Sequence, residues 1–233
     1  MEMSRRENIR FSATAVASLS FRAIGILGPT GLIAQPLSEG LSETPLPSMP
    51  ALPLRHDGSA LEYGSAEAGA ISGVIWRTKS TPDMEVDYRK MRIRLATYGT
   101  AKLSGILTFG DLEKLPRRSQ VTLLQCAAPN PHGTVKWSGV RFSDFAELIG
   151  LQPSASYVRF AGSDAYSVDE DVRTLMHPQV LLAWLLNDEP IPPQHGAPLR
   201  LIIPFRYGAR SLKAITEIQI TATTLPPPKP WPT

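Results

Sequence analysis

The distribution of proline is the sequence feature that most constrains the fold. Most of the 22 prolines lie in three stretches, 36–53, 190–198 and 226–232. Proline lacks a backbone N–H and has a fixed φ, so it is excluded from helix interiors and central strands. We therefore expect extended segments at 36–53 and 226–232, and an ordered loop within the folded unit at 190–198.

Composition sets the class of protein. The chain has 233 residues, of which 42% are hydrophobic and 19% charged. This balance suits one large domain with appended segments and excludes a disordered chain. The net charge is only +3, and no basic run is interleaved with aromatic residues, so nucleic acid is not a predicted partner.

Short apolar runs separated by turn residues predict an α+β domain rather than a regular series of β-α-β units. A helix is predicted over 143–150, with Ser143 as its N-cap and Gly150 at its C-terminal end, and a shorter one over 110–116. Segment 180–187 is apolar throughout and fits either a helix or a strand. The predicted strands are 71–77, 90–96, 121–126, 157–161, 199–204 and 216–221.

The N-terminal segment 1–34 resembles a twin-arginine export signal. Arg5 and Arg6 precede a weakly apolar stretch rich in Ser, Ala and Gly, and such signals are read by a receptor. Arg22 and the Gly-Pro pair at 28–29 interrupt the stretch, so it is no transmembrane helix. We predict export to the periplasm by the export machinery, the alternative being an ordinary basic N-terminus with a short amphipathic helix.

These boundaries predict the domain organisation. The export signal at 1–34 is followed by a Pro/Ser-rich tether and lead-in at 35–69. The folded domain is predicted over 70–225, and a Pro-rich tail over 226–233.

Cys126 is the only cysteine, so the chain forms no internal disulfide. It closes the apolar run 121–126 and precedes a turn-forming stretch, 127–134. At the mouth of a buried strand, a thiolate is accessible to a soft metal or an electrophile. A free cysteine is also among the most buried residue types, so Cys126 as a small core residue stays open on position alone.

Two other segments carry groups suited to an anionic ligand. In 195–200 a glycine-proline turn lies between His195 and Arg200, and arginine provides the planar fork that suits phosphate. In 207–213 glycine permits close backbone approach, and Ser211, Lys213 and exposed amides could hold a phosphate. Each segment alone is also common as a polar turn.

In their order along the chain, these motifs resemble the molybdopterin-binding oxidoreductase domain of the sulfite oxidase family. That family includes exported bacterial members such as the methionine sulfoxide reductase catalytic subunit. The resemblance covers roughly residues 70 to 222. Its blocks are Gln125-Cys126, Trp137-Ser138-Gly139-Val140, Asp164-Ala165-Tyr166-Ser167, Leu181-Leu182-Ala183, Asn187-Asp188-Glu189-Pro190-Ile191, His195 to Arg200, and Tyr207 to Lys213.

The resemblance implies a fold of mixed β-sheets with short helices and a molybdenum-molybdopterin cofactor. Cys126 would be the thiolate ligand and the catalytic residue, since a soft thiolate suits this metal. The other implied cofactor contacts are His195 and Arg200 on the pterin and its phosphate, Ser211, Leu212 and Lys213 closing around the phosphate, and Arg77 and Lys79 upstream.

The implied activity is oxygen-atom transfer on a small-molecule substrate. The chain has no Cys-x-x-Cys-His motif and no cysteine cluster, so electrons would be exchanged with a separate haem protein. Several positions depart from the sulfite-oxidising members. Pro129 to His132 stand where those carry an arginine, no tyrosine follows Tyr207, Ala214 replaces a tryptophan and Lys79 a histidine. Sulfite is therefore not the predicted substrate.

Two further interpretations stay open. The departures at Lys79 and Ala214 also fit a cofactor-free binding or scaffolding module of the same fold in the cell envelope. A cysteine hydrolase with His195 as its base is less well supported, because no oxyanion-hole motif is apparent.

His132 either lines a substrate pocket or is a solvated loop residue.

Overall fold

Two β-sheets with short helices make up the described part of the chain. The structure is a computed structural model that describes residues 51–72, 85–126 and 132–224, all within one compact unit, Leu46–Thr233. The elements are β1 (Arg92–Ala96), β2 (Gly105–Thr108), α1 (Phe109–Leu112), β3 (Arg117–Gln125), β4 (His132–Arg141), α2 (Phe142–Leu148), β5 (Tyr157–Gly162), β6 (Ser167–Asp171), α3 (Val172–Leu175), β7 (Leu181–Leu186), β8 (Glu189–Pro190), β9 (Arg200–Ile202) and β10 (Ile215–Thr221). Within these ranges 3₁₀ turns occur at Ser65–Glu67, Tyr88–Lys90, Pro193–His195 and Gly208–Arg210.

The first sheet has the strand order β2-β1-β10-β5-β6. Only the β1–β10 pair is parallel; the other neighbours are antiparallel. The second sheet has the order β3-β4-β7-β8, with β9 also paired to β7, and all of its pairs are antiparallel. Strands and short helices are thus mixed without regular β-α-β units, and the predicted α+β class is confirmed.

One large apolar core joins the two sheets. It includes Ile93, Phe160 and Ile218 from the first sheet, and Val140 and Leu182 from the second. A smaller apolar cluster draws on the second sheet as well, so this sheet is buried on both faces. That burial explains why the run predicted at 180–187 shows no periodicity: β7 is buried at all six positions.

The alternating pattern predicted β1 correctly: Arg92 and Arg94 are exposed while Ile93 and Leu95 are buried. The predicted strands at 121–126, 157–161, 199–204 and 216–221 are also present, as β3, β5, β9 and β10. The one predicted at 71–77 falls largely outside the described residues.

The predicted N-cap at Ser143 is wrong. Helix α2 begins one residue earlier, at Phe142, and the residue before it, Arg141, makes no side-chain capping bond. Strand β4 runs directly into this helix, and the Phe142 amide donates to the carbonyl of Val180 at 3.0 Å. The Val180 carbonyl therefore satisfies one of the first amides of the helix, which have no partner within the helix itself. The helix ends as predicted, with Gly150 in the left-handed region at φ +63°.

No helix in the described ranges is long and apolar enough to span a bilayer. The boundaries of the export signal, the tether and the C-terminal tail stay predictions.

Candidate cofactor site

Cys126 directly follows β3 and is a half-buried free thiol. It begins the connection between β3 and β4, which are paired up to Gln125 and His132. His132 is exposed, and its ring Nδ1 lies 3.3 Å from Ser72 Oγ. The thiol thus lies at the end of a strand, as the sequence predicted, and the structure shows that this strand is an edge of the second sheet. Whether His132 lines a substrate pocket stays open, because residues 127–131 lie outside the described part.

The two polar segments pack against each other. The chain leaves the 3₁₀ turn Pro193–His195 through Gly196, at φ +111°, and then passes the cis peptide bond Ala197–Pro198 into β9. The Ala214 amide donates to the Gly196 carbonyl at 3.1 Å, and the Leu201 amide donates to the Leu212 carbonyl at 2.9 Å. These bonds connect residues 196–201 to residues 212–214.

Gly196 is required at this contact. A Cβ built there would lie 2.9 Å from Lys213 Cβ and 3.0 Å from Lys213 Cα. No side chain fits that space, and φ +111° is a conformation that other residues rarely adopt. The glycine of the predicted turn therefore brings the backbone beside His195 against Lys213.

The second polar segment also reaches the end of β3. A Cβ on Gly208 would lie 3.4 Å from the carbonyl oxygen of Gln125 and 3.3 Å from Leu124 Cδ1. Gln125 directly precedes Cys126. The 3₁₀ turn Gly208–Arg210 therefore lies beside the strand that carries the thiol, and all three predicted segments meet.

Arg200 is a buried cation without a carboxylate partner among the described residues. It is 2% exposed, its Nη1 donates to the His195 carbonyl at 2.8 Å, and its guanidinium carbon lies 5.0 Å from the centre of the Trp137 ring. Its Nε is buried with no hydrogen-bond partner in the described part of the chain. Burial lowers the pKa of Arg200 to about 9.

Lys213 and His195 lie in the same electrostatic field. Burial, and next the charge of Arg200, lower the pKa of Lys213 to about 8, against smaller opposing effects of Asp164 and Cys126. Lys213 Nζ donates to the Gln194 carbonyl at 2.9 Å. Burial and the two cations lower the pKa of His195 to about 4. At neutral pH the cluster is therefore a neutral imidazole beside two basic groups.

Ser211 and Leu212 contribute differently from the cations. Ser211 is buried, and its Oγ accepts a hydrogen bond from the Ile203 amide at 3.0 Å. The Leu212 side chain lies in the large core, so only its backbone is available to a ligand. The other two predicted contacts, Arg77 and Lys79, fall in 73–84, outside the described residues.

Sequence reasoning missed two contributors. Trp137 was recognised only as part of a motif; its role beneath Arg200 depends on β4, which the sequence did not predict. Asp164 acts electrostatically on Lys213. A Cβ built on Gly162 would lie 3.0 Å from Asp164 Oδ1 and 2.9 Å from the Lys213 carbonyl oxygen, so both lie beside Gly162. The place of Asp164 in the Asp-x-Tyr-Ser block was the available signal.

The cluster fits an anionic cofactor. A buried charge is costly unless it is paired, and a buried N–H without an acceptor costs further free energy. Arg200 has both properties, and Lys213 adds a second basic group within its field. A phosphate provides negative charge and several acceptor oxygens, so the donor set matches a phosphorylated pterin.

Comparison with known proteins agrees with this chemistry. The family model described as "Oxidoreductase molybdopterin binding domain" matches residues 79–231. The chain is 31% identical over 137 residues to a putative protein-methionine-sulfoxide reductase subunit, YedZ1, of Azospira oryzae; the match covers 59% of this chain and 51% of that protein. It is 30% identical over 132 residues to the uncharacterized oxidoreductase YuiH of Bacillus subtilis, covering 57% and 67%.

A solved structure shares the fold. The sulfane dehydrogenase SoxCD of Paracoccus pantotrophus superimposes with a TM-score of 0.54 at 20% identity, over 60% of this chain and 40% of that one. The predicted family and its molybdenum-molybdopterin cofactor are confirmed by the family match. This chain belongs to the oxidoreductase molybdopterin binding domain family.

Proposed function

We propose that this chain catalyses oxygen-atom transfer to or from a small molecule at a molybdenum ion bound by Cys126. The observation that carries the proposal is Arg200, a buried guanidinium with no carboxylate partner and an unsatisfied Nε in the described structure. When bound, the molybdenum-molybdopterin cofactor supplies the two-electron redox chemistry.

The basic groups would bind and orient the cofactor. Arg200 offers its free Nε and forked donors to a phosphate, and Lys213 adds a point charge. His195 is neutral at physiological pH because the pKa of its imidazole is about 4, so it would hydrogen-bond the pterin without adding charge. Ser211, Leu212, Arg77 and Lys79 stay proposed contacts.

Cys126 would provide the protein's sulfur ligand. The thiol lies half-buried at the end of β3. Lys213 is close enough to Cys126 for the sulfur to contribute to raising the pKa of the Lys213 ammonium. Soft sulfur suits this metal.

The rest of the proposal concerns the substrate and partners. The Azospira relative is named as a putative methionine sulfoxide reductase subunit, so sulfoxides are the first small molecules to test, ahead of N-oxides and sulfite. We further propose that residues 1–34 direct export through the twin-arginine machinery to the periplasm. A separate haem protein would exchange electrons there, and nucleic acid would have no part.

Metal content tests the central claim. The full chain is purified from a host that makes molybdopterin, and molybdenum is measured together with alkylation of Cys126. We expect about one molybdenum ion per chain, with the thiol protected from alkylation. Cys126→Ser should abolish turnover of a sulfoxide with a reduced dye. Arg94→Gln, on the outer face of the first sheet, serves as the control and should keep both metal and activity.

The competing function is a cofactor-free binding module in the cell envelope. The unpaired Arg200 disfavours it, because without an anionic ligand the buried cation would only reduce stability. A wild-type chain without molybdenum and with a freely alkylated Cys126 would reject the enzyme proposal. An unchanged phenotype in Cys126→Ser cells would then support the module.

A further inference from the structure

Glu170 is a buried carboxylate that the proposed chemistry does not use. It lies on β6, where buried residues alternate with partly exposed ones, and it occupies an inward position next to that of Val168. Glu170 is 5% exposed. Glutamate is almost never buried unless it is paired, so this position needs an explanation.

Its partner is Arg210, in the segment that carries the predicted phosphate contacts. Arg210 Nε donates to Glu170 Oε1 at 2.6 Å, and its Nη2 donates to the carbonyl oxygen of Asp169. Arg210 is the last residue of the 3₁₀ turn Gly208–Arg210, and Ser211 follows directly. Charge-assisted bonds of this kind are among the strongest side-chain contacts in proteins.

Two weaker contacts hold the same turn. The Tyr166 hydroxyl donates to the Ala209 carbonyl at 3.2 Å, and Gly208 lies against the Gln125 carbonyl. Arg210 and Ala209 are therefore bonded to the first sheet and its β5–β6 loop, and Gly208 lies close to the end of β3. Only the contact at Arg210 involves full charges.

We propose that Glu170 is a positioning residue for the phosphate-binding segment 211–213. Its carboxylate holds Arg210, and this ion pair keeps the backbone that follows in place beside Arg200 and Cys126. Because Arg210 is bonded to β6, Arg200 and Lys213 are the cations that would bind the cofactor. This inference rests on the proposed function, because it assigns Glu170 to the same cofactor site.

The chain offers a matched pair of variants. Glu170→Gln removes the carboxylate that holds Arg210. Asp169→Asn removes the adjacent carboxylate of β6, whose side chain pairs with Arg159 at 2.6 and 2.5 Å and not with the turn. The Asp169 carbonyl that accepts from Arg210 is retained in both. The Arg210 side chain is 40% exposed and borders a cavity of about 300 Å³, so water can solvate it in Glu170→Gln.

Hydrogen exchange measures how readily the hydrogen bonds of the turn open, without relying on activity. The reporters are the amides of Arg210 and Ser211, which donate to Tyr207 and Gly208 within the turn. In the full chain from a molybdopterin-producing host, we expect Glu170→Gln to accelerate exchange of these amides at least about tenfold. Asp169→Asn should change it less than about twofold. Exchange of the core strand β10 should stay unchanged in both.

Cofactor retention gives the second readout. We expect Glu170→Gln, but not Asp169→Asn, to lose molybdenum and pterin faster during gel filtration. Equal effects of the two variants, or acceleration of β10 exchange equal to that of the turn, would overturn the inference. A wild-type chain without molybdenum would instead reject the proposed function, and the exchange comparison would still decide the role of Glu170. If Glu170→Gln does not fold, Arg210→Lys should show the same faster exchange, because lysine cannot make both bonds.

Discussion

Two regions of the domain use arginine in opposite ways. At the β5–β6 edge of the first sheet, each arginine has a carboxylate partner: Arg159 pairs with Asp169, and Arg210 pairs with Glu170. At the candidate cofactor site, Arg200 is more deeply buried than either, yet it forms no ion pair in the described structure. Its guanidinium donates to the His195 carbonyl and lies over the Trp137 ring.

The difference indicates which region needs a ligand to compensate its charge. A buried ion pair contributes little net stability, but it leaves no uncompensated charge. A buried cation without its counter-ion reduces stability, and such a residue is expected where a ligand provides the missing charge. The sheet edge is therefore complete within the described structure, and the Arg200 cluster needs an anion.

The largest effects are expected from replacing the two arginines, and the change in the free energy of unfolding should have opposite signs in the two regions. Arg200→Met should raise the dissociation constant of the cofactor by about 100-fold or more, measured as lower molybdenum content, since removing one partner of a buried charge pair costs several kcal/mol. The free energy of unfolding of the cofactor-free chain should stay unchanged or rise by up to about 3 kcal/mol, because an unpaired buried charge is removed.

Arg210→Met is the matched control for that sign. It leaves the buried Glu170 without a partner, so the free energy of unfolding should fall by about 1–3 kcal/mol. Metal analysis and urea denaturation check both variants. A loss of stability in Arg200→Met as large as in Arg210→Met would contradict the distinction between a ligand site and a completed ion pair.

Backbone contact within the cofactor cluster should produce the next largest effect. Gly196→Ala places a Cβ at 2.9 Å from Lys213, and we expect a loss of about 2–4 kcal/mol from steric overlap and strain. Gly99→Ala has the same kind of positive φ with no atom within 4 Å of the new Cβ, so it should cost only about 1 kcal/mol. Thermal unfolding of both variants isolates the contact with Lys213, and equal losses would exclude it.

The pH dependence of stability should reveal the basic cluster through His195. Burial and two cations lower the pKa of His195 from its ordinary 6.5 to about 4 in the folded chain. Between these values the unfolded chain binds a proton that the folded chain does not, so this residue makes stability rise with pH from about 4 to 6.5. In His195→Gln, the slope of the unfolding free energy against pH should decrease by the contribution of up to about one proton. Urea titrations across this range measure it, and an unchanged slope would contradict the assignment.

The smallest effect is expected at a surface pair. Arg94 lies 3.3 Å from Glu217 on the exposed face of the first sheet, with the arginine side chain 66% exposed. Arg94→Gln should change the free energy of unfolding by no more than about 0.5 kcal/mol. Urea denaturation checks this, and a loss above about 1 kcal/mol would show that open surface pairs here resemble the buried ones.

Hydrophobic periodicity predicted the strands that have one buried face and one exposed face. β1 alternates arginine with buried aliphatic residues and was predicted correctly. β7 is buried on both faces, so its sequence could not distinguish strand from helix. β4 was missed because its first residues, His132 to Thr134, read as part of a turn; its pairing with β3 and β7 makes it a strand.

The candidate site was likewise predictable only in part. By itself, the sequence determined the chemical groups: one thiol at a strand end, the Gly-Pro turn between His195 and Arg200, and the phosphate-type segment that ends at Lys213. These are properties of short segments, which keep their chemistry wherever they lie in the fold. Their order also determined the family.

Only the tertiary structure decided which cations are compensated. Arg210 and Glu170 are 40 positions apart in sequence and form an ion pair, whereas Arg200 lies in the next segment upstream and has none in the described part of the chain. Local sequence does not encode that difference, because it arises when distant strands bring a carboxylate to one guanidinium and not to the other.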